Sequence, residues 1–207
     1  MTFDTLLPPI AAILIGYLFG SIPFGILLTR SAGAPDLRTV GSGNIGATNV
    51  LRTGRKELAA LTLLLDGLKG VAAIVLVRAM FSRMEIELDP LTALGALLGH
   101  LYPVWLRFRG GKGVATFLGI VAALAWQVAL AAIAVWLLVL ALFRYSSLSG
   151  VAMALSAPIA AALFERFDLA LLFLAFALIV VFKHGENLER LMSGTEPKVG
   201  ARRSADA

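Results

Sequence analysis

The sequence predicts an all-α integral membrane protein with seven transmembrane helices, its N-terminus outside and its C-terminus cytoplasmic. Three observations predict it. Of 207 residues, 59% are hydrophobic and only 15% charged, whereas soluble domains are roughly 45–50% apolar and about 25% charged. Apolar runs recur at about the 20 residues that a membrane-crossing helix needs. The Lys and Arg residues gather in a few segments rather than spreading along the chain. No internal repeat and no separate soluble domain is visible. Residues 1–207 therefore read as one polytopic domain, ending in a disordered basic tail at about 198–207. Cysteine is absent and only His100 and His184 are present, which excludes a disulfide framework, a thiolate nucleophile and a cysteine metal site. Neither a metal nor a cofactor is expected. The net charge of +5 reports membrane orientation before partners, and no nucleic-acid partner is inferred.

The first span is expected at about Leu7–Thr29. Gly16, Gly20, Ser21 and Gly25 supply small residues for close helix packing, and Pro23 is expected to kink its end. The run carries no basic leader and is too long for a signal-peptide core, so it reads as a mature span. The second span, Leu58–Val77, carries Asp66 and Lys69 three residues apart and so on one face. A mixed-charge connector, 78–89, leads to a third span at Leu91–Leu106. Val114 to Phe143 is thirty residues without a charge. The last spans are Leu148–Leu163 and Leu169–Phe182.

Orientation follows from charge. Fourteen of the eighteen Lys and Arg residues lie in 30–56, 107–112, 144 and 183–203, three lie in the other connectors, and Lys69 lies inside a span. The positive-inside rule puts the fourteen on the cytoplasmic face. That requires Val114–Phe143 to cross twice, as two short helices near Val114–Ala125 and Val128–Phe143. At 1.5 Å per residue each crossing is about 22 Å, shorter than a core about 30 Å thick, so local bilayer thinning is expected.

Three polar elements interrupt the apolar runs. In the first, 41–52, the small residues Gly41, Ser42, Gly43 and Gly46 let the backbone approach a ligand, and successive N–H groups can cradle an anion. Asn44, Thr48 and Asn49 add neutral hydrogen-bonding groups, and Arg52 adds a fork suited to phosphate. Gly41-x-Gly43-x-x-Gly46 also matches a dinucleotide fingerprint, but that motif must follow a strand, and here a helix-length run precedes it. In the second element, 107–113, Gly110, Gly111 and Gly113 bracket Lys112 ahead of a helix start, which favours anions. Lys112 is the first choice to meet a phosphate and Arg109 the second. In the third, 183–196, His184 is the cytoplasmic candidate for proton transfer, and Asn187 lies one helical turn on. Leu188, Leu191 and Met192 fit an amphipathic helix at the membrane surface. Glu189 follows His184 at a spacing that superficially matches the His-x4-Asp motif of common glycerolipid acyltransferases, but with the wrong acid.

Asp66 and Lys69 admit two readings, a pair lining the site or a structural ion pair. His100 reads as a satisfied interior or interfacial histidine. Phosphate-friendly elements on one membrane face favour an enzyme acting on a phosphorylated substrate at the bilayer surface. A small anion transporter and a scaffold that only recruits a soluble enzyme are the alternatives.

The stretches Gly41-Ser42-Gly43-Asn44-Ile45-Gly46-Ala47-Thr48-Asn49, Gly110-Gly111-Lys112-Gly113 and Lys183-His184-x-x-Asn187-x-x-Arg190-Leu191-x-x-Gly194-x-Glu196 resemble the three signature loops of bacterial acyl-phosphate:glycerol-3-phosphate acyltransferases, the PlsY type. Leu65-Asp66-Gly67-Leu68-Lys69-Gly70 and the seven-span layout fit the same resemblance. Ile45 stands where proline is often expected. The resemblance implies transfer of a fatty acyl group from acyl phosphate to the 1-hydroxyl of sn-glycerol 3-phosphate. The products would be lysophosphatidic acid and inorganic phosphate, in the first step of bacterial phospholipid synthesis at the cytoplasmic (inner) membrane. Ser42, Arg52 and Lys112 would bind phosphate groups, His184 and Asn187 would hold the glycerol moiety, and Asn44, Thr48, Asn49 and Glu196 would shape a site facing the cytoplasm. Acyl phosphate is already activated, so positioning and charge stabilisation can supply most of the rate enhancement. The implied partners are the two substrates, the lipid bilayer and a soluble acyl-phosphate synthase.

Overall fold

Residues 3–84 and 86–200 are described by a computed structural model; the end of the expected tail, 201–207, lies outside them, with Arg202 and Arg203. Among the described residues the regular elements are helical. The chain divides into two compact units, 1–129 and 130–207.

In the first unit, α1 (Phe3–Gly20) and α2 (Phe24–Ser31) replace the continuous first span. The break falls at 21–23, where Pro23 lacks the N–H that would continue the ladder. Two carbonyls at the break are caught by side chains from elsewhere: Trp105 Nε1 donates to Ser21 O at 2.7 Å and Lys69 Nζ to Ile22 O at 2.9 Å. Such replacement partners are what a broken helix needs in an apolar surrounding. The short α3 (Ala47–Leu51) leads into α4 (Lys56–Met80).

Helix α5 (Asp89–Leu101) stops five residues short of the expected third span. Pro103 disfavours helical backbone at Tyr102, and 104–106 form a separate 3-10 turn. The uncharged run divides unequally at Ala125 into α6 (Val114–Leu124) and α7 (Trp126–Phe143), the latter continuing into the second unit.

Close packing explains the glycines. A Cβ on Gly16 or Gly20 would strike the α5 backbone at Thr92 or Ala96, and one on Gly95 or Gly99 would strike α1 at Ile13 or Tyr17. The two backbones therefore touch along two turns, as small residues four apart allow. Gly119 of α6 meets Gly67 of α4 in the same way.

In the second unit, α8 (Ser146–Leu163) and α9 (Phe167–Lys183) pack through residues at helical spacing, including Ala154, Ala157 and Ala161 on α8 and Phe173, Phe176 and Val180 on α9. The chain then bends by 62° into α10 (Gly185–Met192).

Among the described residues four stretches are long and apolar enough to cross a membrane, Leu6–Ser31, Lys56–Met80, Trp126–Phe143 and Ser146–Leu163, and α9 with α10 makes a fifth if the bent pair is one span. Large apolar side chains remain outward-facing on these helices, Leu171 at 75% and Phe182 at 77% exposure among them. The protein is a multi-pass membrane protein.

Candidate active site

The loop between α2 and α4 is pinned from both ends. Leu37, in a 3-10 turn over 37–39, and Val50 of α3 are fully buried with Ala59 of α4. Asn49, only 1% exposed, organises what lies between. Its Nδ2 donates to the carbonyls of Leu37 at 2.8 Å and Val40 at 2.9 Å, while its Oδ1 accepts the Ser42 N–H at 3.3 Å and an Arg52 guanidinium N–H at 3.4 Å. Asn49, expected among the substrate-binding groups, thus has its amide engaged in shaping the loop. Gly41 and Gly43 take φ of 57° and 68°, in the left-handed region that favours glycine. A Cβ on Gly41 would stand 2.8 Å from Arg52 Cδ, so the absent side chain lets Arg52 lie across the loop. Ser42, Thr48 and Arg52 are exposed and Asn44 is half-buried. At the loop's start, hydrogen bonds from Arg38 hold the Asp36 carboxyl down at about 2.

The second element turns back on the end of α5. Gly110 N–H donates to Leu101 O at 3.1 Å and Gly111 N–H to His100 O at 3.0 Å. Gly113, at φ 87°, caps α6. Lys112 is held half-buried between these fixed glycines, whereas Arg109, the second expected cation, is exposed.

Behind that loop lies the buried ion pair. Lys69 Nζ donates to Asp66 Oδ1 at 2.7 Å, each residue being 3% exposed. Lys69 also lies 5.9 Å from the Phe24 ring centroid. Thr116 Oγ1 of α6 donates to the Asp66 carbonyl at 2.9 Å, and His100 Nδ1 of α5 stands 3.9 Å from Asp66 Oδ1. The pair joins the α1–α2 break to α4, α5 and α6.

The second unit builds its polar end around Glu196, which is 7% exposed. Its Oε1 accepts from Ser147 Oγ and from Asn187 Nδ2, both at 2.6 Å, and its Oε2 accepts from Arg190 Nε at 2.8 Å. Burial pushes this carboxyl up, but the hydrogen bonds from Ser147, Arg190 and Asn187 outweigh it and hold the group below the ordinary glutamate range. An acceptor-only carboxylate also fixes which way the Asn187 amide faces. His184, at the bend between α9 and α10, is 3% exposed, and its Nδ1 lies 2.7 Å from Val180 O. A carbonyl only accepts, so Nδ1 carries the proton of this contact.

Comparison with known proteins settles the family. The glycerol-3-phosphate acyltransferase family model matches residues 10–194. The chain belongs to that family. It is 56% identical over 193 residues to the glycerol-3-phosphate acyltransferase of Mesorhizobium japonicum, covering 93% of this chain and 97% of that one. Its identity to the Rhodopseudomonas palustris (strain BisB5) enzyme is 54% over 194 residues, covering 94% and 97%. Two solved structures of PlsY (YgiH), an integral membrane glycerol 3-phosphate acyltransferase, share the fold. The glycerol 3-phosphate form superposes at a TM-score of 0.85 with 36% identity over 93% of this chain and 96% of that one. The lysophosphatidic acid form gives 0.84 and 35%, over 93% and 95%.

Within each unit the acyltransferase's expected residues gather as described, Gly41, Ser42, Asn49 and Arg52 in one group and Asn187 with Glu196 in another. Sequence reasoning missed Ser147, whose partner is 49 positions away. It also passed over Arg190, which stood in the third motif but was read only as part of its pattern.

Proposed function

We propose that this acyltransferase takes its acyl group from acyl phosphate and delivers it to the 1-hydroxyl of sn-glycerol 3-phosphate. The hydroxyl oxygen attacks the acyl carbonyl, the carbonyl–phosphate bond breaks, and inorganic phosphate leaves with the bonding electrons. Lys112, Arg52 and Ser42 meet phosphate oxygens. His184 and Asn187 hold the glycerol moiety, with Nε2 accepting the hydrogen bond of the attacking hydroxyl. Gly41, Gly43 and Gly111 keep the backbone close to the substrates, Arg109 adds positive charge, and Asn44, Thr48, Asn49 and Glu196 hold the surrounding shape. The observation that carries the reading is the placement of His184: its Nδ1 contact with Val180 O fixes the ring at the α9–α10 bend, and its carbonyl accepts the Asn187 N–H at 2.9 Å, so the two side chains start from one turn.

Residues 1–207 work as one domain in the bacterial inner membrane, crossing seven times with the N-terminus outside and the C-terminus and active site cytoplasmic. The distribution of Lys and Arg supports this orientation. Of the two crossings expected within Val114–Phe143, α6 has 11 residues and α7 has 18, about 16 and 27 Å at 1.5 Å per residue, and α5, of 13 residues, is a further short crossing.

The test is product formation by purified protein in lipid, given glycerol 3-phosphate with either palmitoyl phosphate or palmitoyl-CoA. Lysophosphatidic acid together with phosphate release from the acyl phosphate alone is expected. Product from the thioester alone removes the donor assignment. Because the chain has no cysteine, single cysteines at Ser82 and Lys198 report topology, with labelling by an impermeant reagent from outside expected only at position 82.

A further inference from the structure

We propose that His100 is the positioning residue for Lys112. The proposal rests on the reading that Lys112 meets a phosphate. The His100 carbonyl accepts the Gly111 N–H at 3.0 Å, and the neighbouring Leu101 carbonyl accepts the Gly110 N–H at 3.1 Å, so the last turn of α5 sets the height of the glycine loop. The imidazole closes on the same spot from the side. A Cβ built on Gly111 would run into His100 Nε2, so backbone and ring are in direct contact with no space for a methyl group. The ring is 4% exposed. On its far side Nδ1 faces Asp66 Oδ1 at 3.9 Å, and Asp66 is itself tied to Lys69, which holds the Ile22 carbonyl of the α1–α2 break. The ring therefore lies between a rigid buried ion pair and the residue that precedes Lys112. A lysine side chain has four rotatable carbons and is strongly hydrated, so its usefulness to a phosphate depends on where its backbone is held. Misplacement of a catalytic group by about 1 Å lowers rates about 100-fold.

The experiment is a double-mutant cycle between His100→Ala and Gly111→Ala, on protein confirmed monodisperse in detergent, with kcat and KM measured for each phosphate-bearing substrate. Gly111→Ala alone is expected to lower kcat/KM about 100-fold. In the His100→Ala background, where the methyl has room, its further effect shrinks to a few-fold. Equal losses in both backgrounds overturn the contact. His100→Ala by itself is expected to raise KM for at least one phosphate-bearing substrate about 10-fold. A merely structural role would only reduce the active fraction, so a loss that disappears when rates are normalised to folded protein, with both KM values unchanged, overturns positioning, even if Gly111→Ala fails to fold. Lys112→Ala tests the underlying reading separately. Wild-type kinetics there remove the phosphate assignment, whatever the cycle shows.

Discussion

Each unit holds a buried carboxylate, and the two are used in opposite ways. Asp66 is paired with Lys69 on its own helix, and its other contacts, Thr116 and His100, come from neighbouring helices. Glu196 is reached by three side chains, Ser147, Asn187 and Arg190, and anchors the end of the chain to them. The first carboxylate joins helices and reaches the reactive loop only through main chain and an imidazole; the second orients candidate substrate-binding groups directly. A buried ion pair is weak evidence of net stabilisation, yet removing one partner is severe because a buried charge is left behind. A carboxylate held by several donors instead loses function in proportion to the groups that it aims.

Four expectations sharpen or break that contrast. Lys112→Ala should lower turnover about 1000-fold, in the range of losing one main electrostatic contact in the transition state, with unchanged thermal stability. Near-normal turnover would leave the first unit without its reactive group. Lys69→Met should instead act on the fold, lowering unfolding free energy by about 3–5 kcal/mol, read as a fall in thermal midpoint in detergent. A smaller drop than for Glu196→Gln would reverse the assignment of scaffold and site. His184→Ala should reduce kcat about 100-fold. If the pH–rate profile keeps its shape, the ring orients the hydroxyl; if the acidic limb disappears, it takes the proton.

Glu196→Gln should cost less stability than Lys69→Met, about 1–3 kcal/mol from the hydrogen bonds of a charged group, with a rise in KM for glycerol 3-phosphate through the released Asn187. Its pH signature has a definite sign. The native carboxyl sits below its ordinary value of 4.5, so its contribution is fully present above that value and is lost as pH falls below it through the native one. The variant should therefore show a flatter loss of stability on acidification than wild type. Parallel curves would contradict the role given to this carboxylate.

Much of the molecule was legible before any coordinates. The membrane class and the approximate helix positions follow from apolar run length, which the bilayer dictates, and the third-element helix from the spacing of Leu188, Leu191 and Met192. The candidate site elements were visible as polar, glycine-dense interruptions; His184 and Lys112 stand out by chemistry that each residue carries alone, whereas Glu196 entered only through the family resemblance. The break at Pro23 was foreseen as a kink, and the end of α5 was misplaced because Val104–Leu106 is apolar without being helical. Composition cannot separate those cases, since an apolar 3-10 turn and a helix end have the same hydropathy.

What only the tertiary structure decided are the pairings across sequence distance. Lys69 satisfies a carbonyl 47 positions away, Trp105 one 84 away, and Ser147 a carboxylate 49 away. The same holds for Asn49, whose Nδ2 donates to the carbonyls of Leu37, 12 positions away, and Val40, 9 away. The physical reason is that run length and charge act along the chain, where the bilayer reads them. A buried polar atom needs a partner wherever the packed helices bring one, and the sequence does not record that distance.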